Sequence, residues 1–91
     1  MRILVICRPA PGVDPKAQIM PLAGAELAAL RDQRERGPLR EAYSPGGPGA
    51  ILIYEGSREE VEAALAALPM AQAGVIEATL TELHPFAGLS E

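Results

Sequence analysis

Apolar and polar positions along the 91 residues fall into blocks with distinct periods. Arg2 to Arg8 (RILVICR) is a continuous apolar run rather than an alternating one, the pattern of a strand covered on both faces. In the loop that follows, Asp14 stands as an N-cap, with Pro15 in the first-turn position. Pro21 interrupts the next segment. Either it kinks one helix, or Pro15 to Met20 is a separate turn and the main helix starts at Pro21. Leu22, Ala23, Leu27, Leu30 and Arg34 then recur at helical spacing, and Gly37-Pro38 ends the helix.

Leu39 to Ser44 (LREAYS) alternates as a half-exposed strand does, and PGGPG after it is a turn or short loop. Ala50 to Glu55 (AILIYE) reads as a second buried strand. Ser57 and Glu60 have the spacing of a capping box, and the helix they open buries Val61, Ala64, Leu65 and Leu68 before stopping ahead of Pro69. A loop through Ala73-Gly74 leads to VIEATLTEL, a long alternating final strand, with His84-Pro85-Phe86 as an irregular tail.

The order β-α-β-β-α-β predicts an α+β class, a ferredoxin-like pair of layers in one domain over residues 1–91. Right-handed crossovers bring both helices to one side of a single antiparallel sheet. Helices then cover one face only, yet ILVI and ILIY are apolar on both. An identical sheet from a second subunit is the simplest cover, so the pattern predicts a homo-oligomer, a dimeric α/β barrel at least.

Composition narrows the partners. One cysteine and one histidine supply neither an internal disulfide nor the usual four-ligand zinc site, so no such metal is expected. A net charge of -4 argues against nucleic acid. No apolar run reaches membrane-spanning length and the N-terminus lacks the marks of a signal peptide, so the expected location is the cytoplasm. Aromatic residues are only 3% of the chain, which leaves the core to aliphatic side chains.

Between Lys16 and Arg31 the sole charge is Glu26, four residues from both Leu22 and Leu30 and so on one stripe with them. A carboxylate bordering an apolar face is partly desolvated, which raises its pKa toward the range of a useful base. The plainer alternative is a flanking glutamate that reaches water or a backbone amide. His84 is the single histidine, beyond the last strand, and reads either as a poised acid/base or as an exposed tail residue. Arg8 and Arg40, near strand ends, are candidates to bind an anionic substrate or an enolate, or are simply solvated. The hydroxyls of Tyr43 and Tyr54 either line a cavity or top rings buried for their area. Cys7 reads as a small hydrophobe with no neighbour in sequence to lower its pKa, so activity is expected to survive thiol alkylation of the native protein. PGGPG lacks the Lys-Ser or Lys-Thr of a phosphate loop.

Several stretches together resemble the muconolactone isomerase-like family: Val13-Asp14-Pro15, Glu26 in an apolar helix ending RERG, LREAY at the second strand, ALPM closing the second helix, and LTELHP at the end. The resemblance implies a subunit of a dimeric α/β barrel and a proton shift in an unsaturated lactone acid without metal or organic cofactor. It implies Glu26 as the helix carboxylate of proton transfer and draws attention to His84. The lysine those enzymes carry about one turn before the carboxylate has no counterpart in Met20-Pro21-Leu22-Ala23. The expected function is therefore a cofactor-independent isomerase, or a related lyase or cyclase, acting on a small cyclic organic acid, lactone or polyketide-like ketone. The alternative is a non-catalytic binding or scaffold protein of the same fold, which the missing lysine favours. A cofactor-free oxygenase of polyphenols gains nothing from so few His and aromatic residues.

Overall fold

The N-terminal apolar run forms β1 (Arg2–Pro9) and takes a central place in a four-stranded sheet. The other strands are β2 (Leu39–Tyr43), β3 (Ala50–Glu55) and β4 (Ile76–Leu83), in the order β2-β3-β1-β4, and every adjacent pair is antiparallel. The computed structural model describes residues 1–89. The class is α+β with ferredoxin-like topology, as the element order predicts.

The continuous run in β1 divides by parity, because successive strand residues point to opposite faces. Ile3, Val5 and Cys7 are buried with Leu52 and Tyr54 of β3 and Leu39 of β2, beneath the helices. Leu4 and Ile6 face the other way. They pair in register with Ile53 and Ile51 on one side and with Thr81 and Thr79 on the other. That open face carries an aliphatic centre which this protomer leaves half-covered.

Neither alternative for the first helix describes the chain fully. Pro15–Ile19 forms a wide turn closed by the Met20 amide on the Pro15 carbonyl, Met20–Leu22 a tighter one, and α1 proper is Ala23–Arg36. Pro21 has no N–H to extend a helical ladder backward, so the regular helix begins after it. Asp14 caps the first turn, accepting from the Lys16 amide.

The second helical segment is α2 (Arg58–Ala66), and its capping box forms as the spacing predicts. Glu60 N–H donates to Ser57 Oγ, and Ser57 N–H donates to Glu60 Oε1. A further one-turn helix, α3 (Pro69–Gln72), replaces the expected loop. Leu68 is extended, as a residue before proline prefers, and Pro69 then starts the new turn. No helix among the described residues is long and apolar enough to cross a membrane.

Candidate functional site

The inner face of α1 is not the leucine stripe that periodicity suggests. Leu27 is exposed, and the one fully buried residue of the helix is Glu26, 8% exposed. Its line continues through Leu30 to Gln33, which are half-buried. Glu26 Oε1 accepts a 2.9 Å hydrogen bond from the Met70 amide in the first turn of α3. This bond gives the carboxylate a structural task, because the opening amides of a helix need acceptors. No protein group among the described residues donates to Oε2. No unpartnered side-chain oxygen is fully sealed from solvent either, so Oε2 keeps access to open space.

Glu26 also lines a cavity of about 210 Å³ between α1 and the sheet. Glu26, Ile19 and Leu30 form one wall, while Cys7, Leu52 and Ile76 form the sheet floor. Met70 and the loop from Gly47 to Ala50 close the ends. Gly49 sits at φ +123°, and a Cβ there would approach the Cys7 carbonyl oxygen to 2.5 Å. Only glycine lets the loop lie so near β1. PGGPG is thus a cavity wall as well as a turn.

Burial pushes the Glu26 carboxyl above its ordinary range, and the Met70 amide, which favours the charged form, offsets this only in part. Burial, and then the Glu26 charge, push the Cys7 thiol up to about 11. Cys7 is a core residue that also lines the floor of the cavity.

The structure brings only Glu26 of the six candidate residues to the cavity. His84 follows the opposite end of β4: Leu83 pairs with Arg2, whereas Ile76 at the cavity pairs with Pro9. At about 3.3 Å per residue, roughly 25 Å of strand separates them within one protomer. Arg8 is exposed and belongs to the open sheet face, in register with Glu77. Arg40 and Tyr43 meet in a separate shallow hollow with Arg34 and Glu41 at the β2 edge. The Arg40 guanidinium donates there to the carbonyls of Gly37 and Leu39, at 3.0 and 3.2 Å. Tyr43 donates to Glu41, and that bond raises its phenol pKa.

Tyr54 follows the second of its two readings, a ring buried for its area, and is not among the residues that line this cavity. It is fully buried and donates to Gln33 Oε1 at 2.6 Å, and burial drives its pKa upward. Sequence reasoning read Cys7 as a small buried hydrophobe, which it is, without placing it at a cavity, and passed over Met70. Strand parity places Cys7 on the helix side, but no sequence signal marks the Met70 amide. No cluster of three or more His, Cys, Asp or Glu suited to a metal ion occurs among the described residues.

Fold and cavity together define a ferredoxin-like α+β domain with a small apolar chamber under its first helix. Among solved structures, the chain is similar to 5-chloro-2-hydroxyhydroquinone dehydrochlorinase (TftG) from Burkholderia phenoliruptrix AC1100 in complex with 2,5-dihydroxybenzoquinone. The TM-score is 0.73 at 20% identity, over 92% of this chain and 94% of that one. At that identity the likeness establishes the shared fold. No protein-family model and no curated protein sequence matches the chain.

Proposed function

We propose that this chain is a cofactor-independent enzyme in which Glu26 moves a proton on a small cyclic ketone, lactone or quinone-like molecule. The observation that carries the reading is a buried carboxylate, anchored through Oε1 to the Met70 amide, in the lining of an apolar cavity. Anchoring Oε1 on Met70 fixes the carboxylate's orientation, and desolvation raises its basicity, both of which a general base needs. The cavity is smaller than the roughly 300–1,000 Å³ of drug-sized pockets, which favours a one-ring substrate. The likeness to an enzyme bound to a benzoquinone supports a small-molecule role. The motif arrangement favours the muconolactone isomerase-like branch of this fold.

In this reading the open sheet face is covered by a second copy. Its aliphatic centre of Leu4, Ile6, Ile51 and Ile53 suits such an interface, and Arg2, Glu41 and Glu55 supply charge at one end. Sedimentation at micromolar concentration is expected to show a dimer or larger. A stable monomer under those conditions would remove the barrel.

A non-catalytic binding protein is the second reading. It is favoured by the absence of Arg, Lys and His among the described lining residues, which leaves no side-chain cation to hold an enolate. Proton exchange separates the two readings. One-ring ketones and lactones incubated with the protein in D₂O should gain deuterium next to the carbonyl, and the Glu26→Gln variant should lose this activity. Binding without exchange would favour the second reading. Equal exchange by both proteins would take the base role from Glu26.

A further inference from the structure

We infer that the cavity selects by charge: it accepts neutral, hydroxylated one-ring molecules and rejects carboxylates of the same shape. The inference deepens the proposed reading of this cavity and rests on it for the premise that a ligand enters. Of the described lining side chains, Glu26 alone carries charge, and Cys7 is the other polar one. Glu26 is more than nine-tenths buried, and its Oε1 is tied to Met70, so it cannot swing into water without giving up that bond.

No Lys, Arg or His is among the described residues that line the cavity. Arg8 belongs to the opposite face of the sheet, and Arg40 is engaged with backbone carbonyls at the β2 edge. A carboxylate ligand would therefore meet a like charge in a poorly solvated chamber, or would enter only with an added proton. Neither penalty falls on a neutral phenol or hydroxyketone. Its hydroxyl donates to Glu26 Oε2, while its ring lies on Ile19, Leu30 and Leu52. Discrimination arises from the cost imposed on the wrong ligand as much as from contacts with the right one. This sets the site apart from an isomerase of lactone acids and gives the missing helix lysine a physical consequence.

The test is a matched pair, 4-hydroxybenzamide and 4-hydroxybenzoate, equal in shape and different in charge at neutral pH. Each is titrated into the full isotope-labelled chain, and the amide signals of Met70, Gly47 and Gly49 are followed by NMR. The amide is expected to bind at least about tenfold more tightly than the carboxylate, as one uncompensated like charge in a poorly solvated site requires. In Glu26→Gln the ratio should shrink to within about threefold. Equal binding of the two ligands to the wild type, or tighter binding of the carboxylate, would overturn the charge selection while leaving the cavity a ligand site. The wild-type ratio decides this even if the variant does not fold. If neither ligand shifts those signals at millimolar concentration, both the selection and the underlying ligand site fail. Selective binding without deuterium exchange would sustain the selection and count against catalysis alone.

Discussion

Helices α1 and α2 lie on the same face of the sheet and hold to it by different means. Helix α2 presents Val61 and Leu65, followed by Leu68, and all three are buried in one cluster with Ile3, Val5 and Tyr54. Helix α1 presents Glu26 and Gln33 between smaller apolar contacts. Gln33 Nε2 donates to the Ala64 carbonyl at 2.8 Å, its Oε1 accepts from Tyr54, and Glu26 accepts from Met70. Apolar burial rewards contact everywhere, and it seats Val61 and Leu65 of α2 in the core. Hydrogen bonds fix α1 at chosen points and leave the space between them unfilled. The cavity is what a polar attachment leaves beneath a helix.

The largest effect expected is on the α2 side. Leu68→Ala removes a fully buried side chain and should cost about 2–5 kcal/mol in urea unfolding. Leu30→Ala, at the edge of a space already open, should cost no more than about 1.5 kcal/mol, because less packing is lost there. If the two substitutions cost the same, α1 is packed like α2 and the contrast fails.

Glu26→Gln comes next. It keeps the shape and the acceptor for Met70 and removes the base, so proton exchange on a verified substrate should fall about 100-fold or more. The fold should stand, since a neutral amide is cheaper to bury than a carboxylate. Unchanged exchange would return Glu26 to a purely structural cap of α3.

How far this contrast can be read from sequence depends on how local its causes are. The capping box lies within four residues, and the parity of β1 and β3 follows from strand geometry, so both were legible. The phase of α1 was not. Alanines at 23, 25, 28 and 29 blur its periphery, and Leu27 competes with Glu26 for the inward place. The contact that settles the phase, Glu26 with Met70, spans 44 residues and involves a backbone amide. The distance of His84 from Glu26 was not legible for a different reason: it depends on the direction of β4, which only the strand register makes explicit.

Acid and base sharpen the contrast further. The folded state holds the Glu26 proton more tightly than the unfolded chain does, because burial outweighs the Met70 bond. As pH rises through the ordinary carboxylate range, the unfolded chain ionises first and the wild type loses stability, until the folded carboxyl ionises too. Glu60, held low by the Ser57 backbone and side chain, and Glu55, held low by the Met1 amino group, act in the opposite sense. They are common to wild type and variant and cancel in a difference. The gain in urea midpoint of Glu26→Gln over wild type should therefore grow as pH rises through the ordinary carboxylate range and level off once the folded carboxyl has ionised. A gain that is flat with pH, or that shrinks, would mean the carboxylate is solvated.

The smallest effect belongs to the outer side of α1. Leu27 is 50% exposed and does not line the cavity, so it stands on the outer side of α1. If that side meets only water, Leu27→Gln changes stability by no more than about 0.5 kcal/mol, and the change is the same at every protein concentration. The polar residue would lose little apolar burial and gain hydration, so solubility is the property most open to improvement. A larger loss that deepens on dilution would show that Leu27 is covered in an assembly, since association adds to apparent stability by mass action. In that case α1 would be held by an apolar contact after all, on its outer side and by another subunit. The polar attachment within the protomer would then be one half of how the helix is fixed.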